Sequence, residues 1–402
     1  MKKRFSTAAV LSLCAVAIVI TYIFTASAAK NHYDAQLDKA YEDLASFTKL
    51  LEINKYVTEN YVGEIDDDAL MEGVFDGYFA GLGDRFSMYH NKAEMDQLNM
   101  TADGKLVGIG VLASYDVDTP GIYIRRVMPD SPAEAAGIRE NDVVTAVNGK
   151  AVTEETYGDC INAVRGEAGT SVTLTVLSGG KTTDVNVTRA TVRSRNVFMN
   201  WLEGDIAFIQ ITEFSGNVAT DFVSCMKEAE TKGAKGYVFD MRGNPGGDLE
   251  IICTVLDYLL PEGPIIRVKN AAGNIVFTRD SGASCVNAPM TVLVDGNTAS
   301  AAELFTAALR DYHKATIIGT TTFGKGTMQH IITLSDGSGI RLSCYYYDPP
   351  YGENYHGKGI TPDIVLEQSD YYKLRPYLLN EENDIQIQAA KKELLKIIEG
   401  VN

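Results

Sequence analysis

The sequence predicts a multidomain α/β protein, and three patterns carry that prediction. Apolar residues recur at helical spacing through residues 31–100. Short alternating segments separated by Gly, Pro and Asp turns follow over residues 101–190, as in a small, mainly β domain. From about Val192, apolar runs alternate with helical stretches, the order of a parallel or mixed sheet with crossover helices. The expected organisation is an N-terminal apolar segment (1–30), a helical region (31–100), the β domain (101–190), an α/β core (191–375) and a C-terminal helix (376–402).

At the N-terminus, Lys2, Lys3 and Arg4 precede an uncharged stretch from Phe5 to Ala29, most apolar from Ala8 to Phe24. A cleaved signal peptide would fit Ala26-Ser27-Ala28 as a small-residue cleavage site. A membrane anchor fits the length of the apolar run better. Either reading places residues 31–402 outside the cytoplasm, because the positive end stays inside. The helical region follows through Leu37, Tyr41, Leu44, Phe47, Leu50, Leu51 and Ile53, then Leu70, Val74, Phe75, Tyr78 and Phe79. It carries no chemistry and suits packing on the core, pairing with a second copy, or both.

In the β domain, Gly121–Ile124 and Val172–Val176 read as strands, with one helix from about Glu154 to Arg165. In the core, Ile206–Ile211, Tyr237–Asp240, Met290–Val294 and Ala315–Ile318 read as strands. Val218–Thr231, Leu249–Leu260 and Ala301–Tyr312 read as helices, and a last helix spans Glu382–Ile398. Active sites on such sheets gather in the loops after the strand C-terminal ends. Asp240–Gly247, Ser300 and Lys325 all lie in such loops, which is the reason to link them.

Charge and composition exclude other classes. The formal net charge of −17 argues against a nucleic-acid partner. The cysteines after Cys14 (Cys160, Cys225, Cys253, Cys285 and Cys344) are widely spaced and odd in number, which gives no disulfide framework. The histidines show no metal-ligand spacing, so no metal or other cofactor is expected.

Three groups carry candidate chemistry. Ser300 stands where a helix begins, with Glu303 as a capping-box partner, so it reads either as a cap or as a nucleophile beside a helix N-terminus. Lys325, in the turn Phe323-Gly324-Lys325-Gly326, reads either as a solvated lysine or as a general base whose pKa burial lowers. Gln329 could orient it. The glycines of Asp240-Met241-Arg242-Gly243-Asn244-Pro245-Gly246-Gly247 allow an αβ turn or an oxyanion hole. A phosphate-binding loop competes for the same residues, since Gly319-x4-Gly324-Lys325 fits most of that pattern. Against it, Gly326 replaces the required Ser or Thr, and the residues that follow read as strands.

Taken together, these motifs resemble the C-terminal processing peptidases, also called tail-specific proteases. Gly81–Tyr89 resembles the family's leader to its PDZ domain, with Arg85 and Phe86 as departures from the usual Asp-Pro-Tyr-Ser. Pro129-x-Ser131-Pro132-Ala133-x-x-Ala136-Gly137-Ile138, Asp142 and Val147-Asn148-Gly149 spell a PDZ domain. Asp240–Gly247 and Gly357-x-Gly359-Ile360-x-Pro362-Asp363 match further family motifs. The resemblance implies an α/β serine-protease core in which Ser300, Lys325 and Gln329 are catalytic. Amides of Gly246, Gly247 and Ala301 would form the oxyanion hole. Val107, Gly108, Ile109 and Gly110 would hold a substrate's terminal carboxylate, and Arg165 would couple the two sites. The implied partners are proteins with free C-termini, the membrane through the N-terminal helix, and a second copy or an activating partner. A tail-binding or ligand-binding protein that does not cut is the alternative, and the retention of all three catalytic positions argues against it.

Overall fold

A computed structural model describes residues 7–400, and side chains over residues 16–34 and 47–400. Lys2–Arg4, the start of the Phe5–Ala29 segment and the side chains of Cys14, Leu37, Tyr41 and Leu44 therefore lie outside the described residues. Among the described residues no helix is long and apolar enough to cross a membrane. The chain divides into two compact units, Met1–Phe75 and Asp76–Asn402.

The first unit is helical. Helix α1 runs over Thr7–Asn60, and α2 (Asp67–Ala80) begins in this unit after a break at which Asp66 accepts from Ala69 N–H at 3.0 Å. The expectation of helix throughout residues 31–100 is corrected in the second unit. There a strand β1 (Met88–His90) intervenes before α3 (Lys92–Ala102). The strand is too short to announce itself by alternation, and its antiparallel pairing with Gly339–Arg341 imposes it. Helix α3 then starts at a reciprocal capping box between Asn91 and Glu94.

The small β domain is tied to the core by a two-stranded stem. Strand β2 (Lys105–Gly108) pairs antiparallel with β9 (Ala190–Arg193), and the domain lies between them in sequence. Within it are β3 (Val111–Asp116), β4 (Gly121–Val127), α4 (Pro132–Ala135), β5 (Val143–Val147), β6 (Lys150–Ala151), α5 (Tyr157–Val164), β7 (Ser171–Ser178) and β8 (Lys181–Thr188). The sheet runs β3-β4-β5-β7-β8 with β6 on β5, so β3 is an edge strand. Ile109, Ile122, Ile124, Val144, Val172 and Leu174 fill its core. Helix α5 begins later than the expected Glu154. Thr153 and Thr156 bond each other's backbone and side chains in a local turn that competes with the first helical turn.

The core follows the expected alternation: β10 (Val197–Leu202), β11 (Ile206–Ile211), α6 (Val218–Thr231), β12 (Gly236–Asp240), α7 (Leu249–Leu259), β13 (Gly263–Lys269), β14 (Ile275–Ser281), β15 (Met290–Val294), α8 (Ala301–Asp311), β16 (Ala315–Gly319), β17 (Thr327–Thr333), β18 (Gly339–Asp348), β19 (Ile364–Val365), α9 (Asp370–Leu374) and α10 (Ile385–Glu399). One sheet runs β10-β11-β12-β15-β16-β19, parallel except at β10–β11. Strands β12 and β15 are buried at every residue, as expected of strands covered on both faces. Helices α6, α7 and α8 pack with one face of this sheet, and α10 packs with Phe208, Val238, Leu293 and Ile318 on the other. A second, antiparallel sheet runs β1-β18-β13-β14, with β17 on β18.

The charged half of the Asp240–Gly247 motif is structural. The Arg242 guanidinium donates to Asp240 at 2.8 and 2.9 Å, to Asp384 at 2.7 Å and to Gln386 at 2.8 Å. Asp384 in turn caps α10, which moves its start to Ile385 from the expected Glu382. Arg242→Met would strand two buried carboxylates. A loss of about 3–5 kcal/mol in unfolding free energy is expected, read by denaturant titration.

Candidate active site

Ser300 stands between β15 and α8 with φ of 56° and ψ of −118°, a backbone conformation that is unfavourable for a side-chain-bearing residue. The neighbouring loop holds it there. Ala299 N–H donates to Asn244 O at 2.9 Å, Thr298 Oγ1 to Met241 O at 2.8 Å, and Gly243 N–H to Asp295 Oδ1 at 3.0 Å. Gly246 passes so close that a Cβ there would meet Ser300 Cβ at 2.7 Å and Ala301 N at 2.8 Å. Of the candidate oxyanion donors, the Gly246 amide is occupied, donating to Asn244 Oδ1 at 2.8 Å.

Glu303 joins the serine loop to the lysine loop. It is wholly buried, and Ser300 N–H donates to its Oε2 at 2.9 Å, half of the expected capping box. Lys325 N–H donates to the same oxygen at 2.7 Å. Oε1 accepts from Thr322 Oγ1 at 2.5 Å and from Gly324 N–H at 2.7 Å. Two phenols close this region from beneath. Tyr355 Oη donates to Tyr347 Oη at 2.9 Å, and Tyr347 Oη donates to Lys325 O at 2.9 Å. Burial raises the pKa of both phenols, keeping them protonated donors.

The Lys325 ammonium lies 4.8 Å from the centroid of the Phe86 ring. Phe86 stands edge-on to Phe323, and the Arg85 guanidinium lies 4.3 Å from the Phe323 centroid. Of the two departures from the family's leader, Phe86 therefore sits at the lysine and Arg85 lies against the aromatic pair beside it. The leader is pinned by Ser87, which donates to Asp84 at 2.6 Å and accepts from Ser343 N–H at 3.0 Å. Burial and then the positive charge of Arg341 lower the pKa of Lys325 to about 8, against the opposing pull of Asp84 and Glu303.

Not every expected partner meets. Among the described residues no hydrogen bond joins Ser300 Oγ to Lys325 Nζ, and none joins Gln329 to Lys325. Gln329 Nε2 donates instead to Ser343 Oγ at 3.1 Å and Thr327 Oγ1 at 3.3 Å. In the β domain, Ile109 O accepts from Ala133 N–H and Gly110 O from Met128 N–H, while Val107 and Gly108 lie in the stem strand β2. Arg165 is exposed at the end of α5. The buried arginine there is Arg189, which sequence reasoning passed over. It donates to Ala163 O at 2.6 Å and Val164 O at 3.1 Å, holding the end of α5 to the sheet. Asp84, Phe86, Arg341, Tyr347 and Tyr355 were also missed; only the leader motif marked two of them.

Lys325 should titrate near pH 8, read as the midpoint of its side-chain signal in NMR of the lysine-labelled protein. Because Arg341 favours the neutral amine and Asp84 the charged one, Arg341→Gln should raise the midpoint and Asp84→Asn should lower it.

The chain matches known proteins over most of its length. Residues 205–366 match Peptidase family S41, residues 123–178 a PDZ domain, and residues 13–94 the N-terminal domain of the activating protease CtpB. The chain is 34% identical over 336 residues to carboxy-terminal processing protease CtpA of Bacillus subtilis, covering 83% of this chain and 72% of that protein. It is 33% identical over 347 residues to a carboxy-terminal-processing protease of Bartonella bacilliformis, covering 84% and 78%. Among solved structures, the photosystem II D1 C-terminal processing protease aligns with a TM-score of 0.50 at 27% identity, covering 80% of this chain and 87% of that one. The phosphate-binding-loop alternative is set aside, and the chain belongs to the carboxy-terminal processing proteases, serine-type peptidases of family S41 with a PDZ domain.

Proposed function

We propose that the protein is an endopeptidase that captures a substrate's C-terminal tail on its PDZ domain and cuts near that end with Ser300 and Lys325. The observation that carries this reading is the Glu303 carboxylate. It holds the backbones of Ser300 and Lys325 through one oxygen, beside a lysine whose pKa is brought down to about 8. A neutral Lys325 takes the Ser300 hydroxyl proton as Oγ bonds to the scissile carbonyl carbon. It then gives that proton to the leaving amine as the C–N bond breaks, and water releases the acyl group by the reverse logic. The amides of Gly247 and Ala301 are our choice for the oxyanion, with Gly246 joining only if Asn244 releases it.

In the arrangement described, Lys325 Nζ rests over Phe86 and, among the described residues, makes no hydrogen bond to Ser300 Oγ, so catalysis requires the deprotonated amine to turn from that ring to Ser300 Oγ. We assign the trigger to tail capture. The edge of β3 is open for a tail to add as a strand, and the Ile109 and Gly110 carbonyls are already engaged, which leaves amides for the terminal carboxylate. Gln329 and Arg165 are assigned to the aligned state, in which Gln329 would orient Lys325. From the N-terminal charges followed by an uncharged segment, we place the catalytic part outside the cytoplasm, anchored at the membrane. The helical N-terminal region offers a surface for a second copy.

The test is intact-mass analysis of a loosely folded protein with a small apolar C-terminus, incubated with the purified enzyme. Loss of C-terminal mass is expected with the natural protein. A fall on the order of ten-thousand-fold is expected with folded Ser300→Ala. Full activity of Ser300→Ala would refute the assignment. The rate should rise with pH and level above about 8, because Lys325 acts only once deprotonated.

A further inference from the structure

Outside the Ser300 site, a cleft opens at the seam between the PDZ domain and the core. Leu112, Arg126 and Glu140 line it from the PDZ side, and Arg195, Phe198 and Met199 from the core side. Phe198, itself 8% exposed, is its floor. Two guanidinium groups lie against that one ring, the Arg126 carbon 4.1 Å and the Arg195 carbon 5.6 Å from the centroid. Among the described residues, the hydrogen bond that engages Arg195 runs from its Nε to Val197 O, at 3.4 Å. Glu140, the one carboxylate in the lining, acts on Arg126 through its field, and among the described residues no ion pair engages Arg126 or Arg195.

This is an unusual concentration of charge. The whole chain carries a formal −17, yet two cations from different domains meet in a partly desolvated seam. Burial and the neighbouring Arg125 and Arg195 oppose the charged form of Arg126, while Glu140 favours it. Two forked donors held against an aromatic face are pre-organised for a planar carboxylate, and a second carboxylate would relieve the repulsion between them. The cleft also adjoins the strand on which a tail would add. Leu112 belongs to β3 and is paired with Arg126, and Met128 donates to Gly110 O.

We infer that this seam is a binding site for an acidic side chain of the substrate polypeptide, with Arg126 and Arg195 as its clamp and Phe198 as its floor. That the ligand is substrate rests on the tail-cutting function proposed above. The site gives the enzyme a preference for tails carrying Asp or Glu, and it engages both domains at once.

The test uses the full chain as Ser300→Ala, so that binding is read without cleavage. The probes are two short fluorescein-labelled peptides, one rich in Glu and the other its Gln counterpart. Both are C-terminally amidated so that carboxylate capture by the PDZ loop is silent. The Glu peptide should bind roughly tenfold tighter by fluorescence anisotropy, the worth of one charge-assisted hydrogen-bond pair, and the preference should fall with added salt. It should vanish in Arg195→Gln, an exposed position where folding is not at stake, and weaken in Arg126→Lys, which keeps the charge but loses the fork. Equal affinity for the two peptides, or a preference that survives both substitutions, would overturn the site. Because the readout needs no proteolysis, it is independent of whether the natural enzyme cleaves.

Discussion

One buried carboxylate sets the spacing of the candidate nucleophile and base. Glu303 has no exposed surface, and its two oxygens are filled by four donors, one from the residue that caps α8 and three from the loop after β16. A charge can be buried this way only when its hydrogen-bonding capacity is fully met. The same charge favours the protonated form of Lys325, the form that cannot act as a base. Position and protonation are therefore supplied by different groups. Glu303 places the lysine backbone, and burial together with Arg341 from β18 outweighs its pull on the amine. The second sheet contributes electrostatics as well as shape.

The strained backbone at Ser300 depends on a related division of labour. Its unfavourable φ is held by bonds from the serine loop to the Asp240–Gly247 loop and by the absence of a side chain at Gly246. That second loop is itself fixed by Arg242, which reaches across to Asp384 and so to the last helix. The C-terminal helix thus supports the candidate nucleophile from a distance. A candidate site assembled from three loops is rigid only because each loop has a partner outside the site.

Much of this was readable from residue patterns. The parallel strands announced themselves as apolar runs, and α6 matched its expected limits because its period is regular and its ends are marked. The capping relation of Ser300 and Glu303 was readable because it is local. The other three partners of Glu303 were not, because they lie on a segment that only the tertiary fold brings near. The same holds for Arg242, read as part of a glycine-rich turn and found clamping a helix distant in sequence. The Met88–His90 strand was missed because three residues show no period, and Phe86 over Lys325 because an aromatic ring in a loop carries no sign of what it covers.

The stem beneath the PDZ domain has a mechanical meaning. Its two strands leave the core side by side, and Gly104 and Gly216 press backbone to backbone at its foot, where a Cβ on either would meet the other's Cα at 2.7 or 2.5 Å. The domain is also held away from that stem: Arg375 pairs with Asp118, Tyr377 donates to Asp116 at 2.6 Å, and Arg126 lies over Phe198. The glycine pair is the point where the stem's foot is pressed most tightly against the core backbone. Adding a single methyl group at either glycine would force the two backbones apart, and the foot of the stem would be displaced from the core although neither the PDZ sheet nor the serine loop had changed.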